Sequence, residues 1–340
     1  MSKKLNIGLV GLGRLGSLYA RYLAGRILNA RLLAVADVRE TVAESQAAEL
    51  GVPKWYRHYQ DLIADQEIDA VVITTPTSTH PEVVIESAKR GKATFCEKPL
   101  SLSLAESHSV MKVIEQTGAF FHMGLMRRFD QGYAAAKRKI DEGAIGTLVV
   151  LKSSSRDPFR PSLEFCDPKH SGGLITDCGI HDFDVARWLM GEVAGVYSIG
   201  GALAYPEMKE VGDIDNAIVS LSFADGALGT VDLSRSGVYG YDIRTEILGT
   251  KGTLKIGYLR ETPLLVMTRE GVTHDTVPYF TQRFEQAYIS QLQDFVEKVL
   301  RGQPPSVSCA DGIAALQISL AATLSFNEQR PVNIEGGKFF

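Results

Sequence analysis

A short apolar run, Leu5–Val10, leads into Gly11, Leu12, Gly13, Arg14, Leu15 and Gly16, and then into a helical pattern through Leu23. This order constrains the fold more than any other feature of the chain. Gly11 permits a tight turn, Gly13 lets backbone approach a pyrophosphate, and Gly16 lets the helix pack closely on the strand, with the helix N-terminus favouring an anion. A second apolar run, Arg31 to Ala36, ends in Asp37, about 20 residues after the glycines, as a dinucleotide fingerprint requires. A carboxylate there binds a ribose diol and repels a 2′-phosphate, so NAD is the expected cofactor. Arg14 and Arg39 keep NADP as the second choice, because either guanidinium could meet a phosphate. The plain alternative is a glycine turn followed by a solvated Asp37.

The pattern then keeps alternating. Helices are expected near Thr41 to Leu50 and Gln60 to Asp65, followed by a strand from Ile68 to Thr74. The loop Thr75, Pro76, Thr77, Ser78, Thr79, His80, Pro81 opens another helix. The strand Ala93–Glu97, a helix from Leu104 to Thr117 with Ser103 as N-cap, and a strand from Ala119 to Gly124 complete the series. Such alternation predicts a doubly wound parallel α/β sheet with ligands at the carboxyl ends of its strands. The loops after Val10, Ala36, Thr74 and Glu97 should therefore line one crevice. They bring Gly11, Leu12, Gly13, Arg14, Leu15, Gly16, Asp37, Val38, Arg39, Thr75, Pro76, His80, Glu97 and Lys98 to the cofactor.

From Thr147 the strands lengthen: Leu148 to Ser155, Val196 to Leu203, Ala217 to Phe223, Gly226 to Ser234, Ile243 to Leu248, Thr253 to Ile256, Leu264 to Met267 and Val272 to Val277. Ala224–Asp225–Gly226 and Arg269–Glu270–Gly271 read as hairpin turns. One helix, about Ile175 to Met190, interrupts this region, and two more, Phe284 to Leu300 and Asp311 to Asn327, follow it. The expected architecture is a dinucleotide-binding domain over 1–123 and an α+β domain over 124–340 with a large, open-faced, mostly antiparallel sheet. An open apolar face of that size invites self-association.

The chain has 340 residues and a net charge of −4, with Lys and Arg mixed among Asp and Glu. Nothing in that pattern suggests nucleic acid or an anionic membrane as partner. Met1 to Lys4 lack the apolar core of a signal peptide, and the sequence gives no run approaching the roughly 18 apolar residues of a membrane span. A cytoplasmic protein is expected. The four cysteines form no CxxC pair, which fits a reducing compartment. Cys166, His170, Cys178 and His181 fall within sixteen residues, but their spacings match no common zinc module, so no metal is expected.

Two clusters could carry chemistry. Lys98, after Glu97 and before Pro99, stands at a strand's carboxyl end, where an ammonium can donate to a developing alkoxide or to a ribose. In the second cluster Asp177, His181 and Asp184 share one face if the segment is a continuous helix. A carboxylate one turn from an imidazole can hold a substrate hydroxyl while the imidazole takes a proton. The alternative is that Asp177 is an N-cap and His181 a hydrogen-bonded core side chain.

With these residues in view, the chain resembles the Gfo/Idh/MocA oxidoreductases over nearly its whole length, through the glycine turn, Glu97 to Pro99, and Asp177 with His181. Within that family three segments resemble the bacterial inositol 2-dehydrogenases. Gly124 to Tyr133 (GLMRRFDQGY) resembles their GFMRRYDxGY, Tyr239 to Gly249 resembles their YGYDxxxEIxG, and Gln282 to Tyr288 resembles another of their segments. The resemblance implies a catalytic set of Lys98, Asp177 and His181, with His181 as general base. It also implies substrate-binding groups at Arg127, Ser155, Asp157, Asp177, His181 and Tyr241. It further implies NAD-dependent oxidation of an inositol ring hydroxyl to a keto-inositol, and a homotetramer. Ser155 departs from the pattern, since a histidine is expected there in the myo-inositol enzymes and a serine is too short to reach the same hydroxyl. Arg127 could instead pair with Asp130, and Tyr241 could be an ordinary sheet aromatic. A scyllo-inositol or pyranose dehydrogenase, an NAD-using glycosidase and a non-enzymatic NAD-binding regulator are the alternatives.

Overall fold

The computed structural model describes residues 4–336, 338 and 339; the chain's first three residues, part of the Met1 to Lys4 start, lie outside the described residues. In chain order the elements are β1 (Leu5–Val10), α1 (Arg14–Gly25), β2 (Ala30–Ala36), α2 (Glu40–Leu50), β3 (Lys54–Tyr56), α3 (Tyr59–Ala64), β4 (Ala70–Ile73), α4 (His80–Lys89), β5 (Ala93–Glu97), α5 (Leu104–Thr117) and β6 (Phe121–Gly124). There follow α6 (Gln131–Asp141), β7 (Leu148–Arg156), the short turns α7 (Leu163–Cys166), α8 (Pro168–Ser171) and α9 (Gly173–Asp177), then α10 (Ile180–Met190), β8 (Val193–Gly201), β9 (Asn216–Phe223) and β10 (Leu228–Ser234). The chain ends with β11 (Asp242–Gly249), β12 (Gly252–Ile256), β13 (Val266–Thr268), β14 (Gly271–Thr273), α11 (Phe280–Arg283), α12 (Glu285–Arg301), α13 (Cys309–Glu328), β15 (Val332–Glu335) and β16 (Lys338–Phe339).

Two compact units result: Met1–Met126 with Gln286–Ile313, and Arg127–Glu285 with Ala314–Phe340. In the first, six parallel strands run in the order β3-β2-β1-β4-β5-β6. The central strands β1, β4 and β5 are apolar and buried almost throughout, as a sheet covered on both faces demands. Ser103 caps α5 as the sequence predicts, its hydroxyl accepting the Glu106 N–H at 3.4 Å. Where the sequence suggests one change of character after residue 123, the first unit also draws in Gln286–Ile313. The reason lies in one face of α12: Tyr288, Leu292, Phe295 and Val296 are buried. The ring of Phe295 lies 5.7 Å from that of Phe95, and Tyr288 lies 5.8 Å from Tyr19.

The second unit is built on an eight-stranded sheet in the order β12-β11-β7-β10-β9-β8-β15-β16. It is antiparallel except where β10 runs parallel to β7. Alternation along the strands sorts the side chains: Leu151, Val219, Leu221, Val231, Leu233, Ile243 and Ile247 are buried on one face, while Tyr197, Ile199, Ile218, Leu228 and Leu248 are exposed on the other. Two expectations need correction. The helix predicted over Ile175 to Met190 is interrupted at Cys178–Gly179, where a Cβ on Gly179 would lie 2.3 Å from the Ile175 carbonyl oxygen. In addition α13 is long and apolar enough to cross a membrane by length and composition, with a mean hydropathy of 1.4, because alanine, leucine and isoleucine dominate it. Since 56% of that stretch is buried inside the protein, it reads as a core helix.

Candidate active site

In the first unit the glycine turn is shaped by close approach. Gly11 adopts φ +92°, and a Cβ on it would lie 2.8 Å from the Thr75 backbone nitrogen. A Cβ on Gly16 would fall 1.9 Å from the Gly11 carbonyl oxygen. Gly13, by contrast, is exposed, and nothing lies within 4 Å of the position its Cβ would take. It stands as the N-cap of α1 without any side-chain cap, and no acidic residue follows in the first turn. Open space in front of uncapped amide groups fits a pyrophosphate.

Asp37 closes β2 and turns back on the glycines, its Oδ2 accepting the Leu12 N–H at 2.8 Å. Arg39 donates to the same carboxylate from its backbone nitrogen, Nε and Nη2 at 2.9, 2.9 and 3.0 Å. Burial pushes the Asp37 carboxyl up, but the hydrogen bonds from Arg39 and Leu12 outweigh it and hold the group below its ordinary range. The turn therefore presents a fixed negative charge with an exposed guanidinium on its rim. Val38 and Arg14 are exposed beside it.

The loops after β4 and β5 are tied together by His80, which is buried, its ring nitrogens 2.7 Å from the Pro99 carbonyl oxygen and 2.9 Å from that of Thr75. Pro76 is exposed and accepts the Thr79 hydroxyl at 2.8 Å. Glu97 is buried, accepts the Tyr19 hydroxyl, and has Gln291 Nε2 at 3.5 Å. Burial raises its carboxyl above the ordinary range against the lowering effect of Tyr19 and Lys98. Lys98 follows at the strand end, half-buried. Of the residues expected at the cofactor, Glu97 thus faces the interior of the unit, while the others lie on the glycine turn and in the segments that follow β2, β4 and β5.

In the second unit Asp177 ends α9 and is not an N-cap, and His181 sits in the first turn of α10, half-buried rather than in the core. Asp177 Oδ2 accepts Arg235 Nη2 at 3.3 Å. Asp184 is not part of this group: it is buried and paired with Arg128, which donates from Nε and Nη2 at 3.0 and 2.5 Å. Asp157 lies beside Asp177, with Cys178 Sγ 3.7 Å from its Oδ2. Burial, reinforced by the charge of Asp177, pushes the Asp157 carboxyl up to about 6, with Arg235 opposing.

Arg127 is 1% exposed and pairs with Asp182 rather than Asp130, donating from Nη1 at 2.6 Å, while Nη2 donates to Ser155 Oγ at 3.0 Å. Asp130 instead caps α6 and pairs with Arg283 at 2.7 Å. Ser153 joins the group through Asp182 Oδ1 at 2.6 Å. Tyr241 is 6% exposed, edge-on to Tyr279 and Phe284. Sequence reasoning missed Arg235, Asp213 and Asp182, which are brought in only by pairings 22 to 58 residues apart. Cys166 and His170 go elsewhere, to Arg235 and to the Glu164 carbonyl oxygen. Among the described residues no group of three or more His, Cys, Asp or Glu side chains is arranged to hold a metal.

Comparison with known proteins places this geometry in context. Residues 5–125 match the oxidoreductase family, NAD-binding Rossmann fold, and residues 137–334 match the oxidoreductase family, C-terminal alpha/beta domain. The chain is 42% identical over 336 residues to scyllo-inositol 2-dehydrogenase (NAD(+)) of Bacillus subtilis, covering 98% of each chain. It is 40% identical over 333 residues to myo-inositol 2-dehydrogenase of Thermotoga maritima, covering 97% of this chain and 99% of that one. Its structure resembles scyllo-inositol dehydrogenase from Lactobacillus casei with bound NAD(H) and scyllo-inositol, at a TM-score of 0.92 and 34% identity over 97% of this chain and 99% of that one.

Proposed function

Because the chain belongs to the Gfo/Idh/MocA oxidoreductase family, we propose that it oxidises a ring hydroxyl of an inositol to a keto-inositol, as a 2-dehydrogenase does. The observation that carries this reading is full-length similarity at 40% identity or above to two proteins named for inositol oxidation. NAD is the cofactor, since the first unit is an NAD-binding Rossmann domain and Asp37 offers a carboxylate where a ribose diol would sit. The glycine turn and Asp37 would hold NAD, which would supply the acceptor for the hydride leaving the carbinol carbon. His181 takes the hydroxyl proton as general base. Lys98, half-buried after β5, is suited to donate a hydrogen bond to an oxygen on which negative charge grows. Asp177, Asp157 and Tyr241 hold the neighbouring hydroxyls, and Arg127 stiffens the wall behind Ser155 and Asp182. The protein is read as a homotetramer, supported by the apolar side chains on the open face of the second sheet, and as cytoplasmic, supported by its four free cysteines.

Scyllo-inositol as the preferred isomer is the second reading. It is favoured by the relative at 42% identity and by a serine at position 155 whose hydroxyl already accepts Arg127. The deciding experiment is NADH formation by the purified protein with myo-, scyllo- and chiro-inositol and common aldoses, NAD and NADP in parallel. NAD reduction by an inositol is expected, the fastest isomer naming the substrate; aldose oxidation alone, or no reduction with any compound, overturns the reading. His181→Ala is expected to lower turnover by about 10²- to 10⁴-fold with NAD binding intact.

A further inference from the structure

Arg235 has no exposed surface and is among the largest side chains fully buried in the protein. A guanidinium stripped of water needs acceptors, since an unpaired buried charge costs several kcal/mol. Nη1 donates to Asp213 Oδ2 at 3.0 Å and to Cys166 Sγ at 2.9 Å, while Nη2 donates to Asp177 Oδ2 at 3.3 Å. Asp213 is itself fixed, both its oxygens accepting the Leu174 N–H at 3.1 Å. Gly173, at φ +74°, leaves it room, for a Cβ there would lie 2.7 Å from Asp213 Oδ1. Leu174 lies at the start of α9 and Asp177 at its end, so one guanidinium grips both ends of this segment, the first through Asp213 and the second directly. Exposure falls along the same line: the side chain of Asp177 is 20% exposed, that of Asp213 6%, and that of Arg235 0%.

We propose that Arg235, anchored by Asp213, is a positioning residue that fixes the carboxylate of Asp177 in the orientation needed to hold adjacent hydroxyls of a cyclic polyol. The proposal rests on the assignment of Asp177 to substrate binding made above. A planar fork can bridge two carboxylates at once, and a lysine ammonium on a flexible stem cannot hold both in fixed geometry. The surroundings raise the demand on that fork, because Asp157 and Asp177 repel each other and Arg235 opposes the repulsion more strongly than Arg127, the other cation acting on Asp157. Without the bridge, the Asp177 side chain turns away from Asp157 and from the hydroxyls it has to meet.

The test is a double-mutant cycle on the full-length protein. Arg235→Lys is expected to lower kcat/KM for the preferred inositol by about 10- to 100-fold, the scale of a side chain misplaced by an ångström. Calorimetric affinity of that inositol for NADH-loaded protein should weaken about tenfold while NADH affinity stays unchanged. In an Asp177→Asn background the same change should cost less than about twofold, since coupled residues do not add. Equal losses in both backgrounds, or unchanged kcat/KM in folded Arg235→Lys, overturn the proposal. If Arg235→Lys does not fold, Asp213→Asn leaves the arginine in place and loosens its anchor; a coupled loss supports the proposal, and an additive loss or none overturns it. Should Asp177→Asn alone leave kcat/KM unchanged, the substrate-binding role of Asp177 fails and the proposal with it. A severe Asp177→Asn beside a silent Arg235→Lys removes Arg235 only.

Discussion

Asp157 shows how one side chain can serve a site at the expense of stability. Its carboxyl is pushed from 3.8 up to about 6, by burial first and by Asp177 second. Between those values the folded chain holds a proton that the unfolded chain has released, so stability falls as pH rises through that window and is level above it. Asp157→Asn removes this dependence. Denaturant titrations across pH should show the variant equal to the parent near pH 4 and more stable by about 2 kcal/mol at pH 8, while kcat/KM falls. A pH-independent difference would show that Asp157 titrates alike in both states. Asp37 poses the complementary case. Its carboxylate is bound by Arg39 and Leu12, so Asp37→Ala frees a guanidinium for a 2′-phosphate. The NAD to NADP preference in steady-state kinetics should fall by at least about tenfold, or about 1.4 kcal/mol, and an unchanged preference would refute that role for Asp37.

Among the elements, the turn from β1 to α1 separates glycines needed for folding from one needed for binding. A Cβ on Gly16 meets the Gly11 carbonyl oxygen at 1.9 Å, whereas one on Gly13 meets nothing. Gly16→Ala should therefore destabilise the protein by about 3 kcal/mol. Gly13→Ala should leave the melting temperature unchanged or slightly raised and weaken NAD binding by about tenfold or more. Equal NAD affinity in Gly13→Ala, by titration of protein fluorescence, would show that the open space is not where the pyrophosphate lies. This turn was legible because its geometry is set by local glycines. The interruption at Cys178–Gly179 was not, since both residues keep right-handed helical angles and the apolar periodicity runs through them. β3, only Lys54–Tyr56, is too short to show a period. Arg127 was legible as a residue to notice, but its partner Asp182 lies 55 positions away, and only packing chooses Asp182 over the nearer Asp130.

For the molecule as a whole, the open face of the second sheet carries Tyr197, Ile199 and Ile218, which are 39 to 50% exposed. Ile199 and Ile218 are cross-strand neighbours, so a single Ile218→Asp places charge at the centre of the apolar area. Light scattering should show the proposed tetramer falling to smaller species, and an unchanged mass would exclude this face as the contact. The segment Gln286–Ile313 has another consequence, one that concerns the order of synthesis. The ribosome delivers β1 to β6 long before the helix whose Phe295 and Tyr288 cover Phe95 and Tyr19, and before Gln291 can reach the Tyr19 hydroxyl and the buried Glu97. The nascent nucleotide-binding unit thus emerges with an uncovered aromatic patch and waits for some 160 further residues, about the length of a typical domain. A fragment ending at Met126 inherits that patch permanently, so its expression calls for a covalently appended copy of residues 286–313.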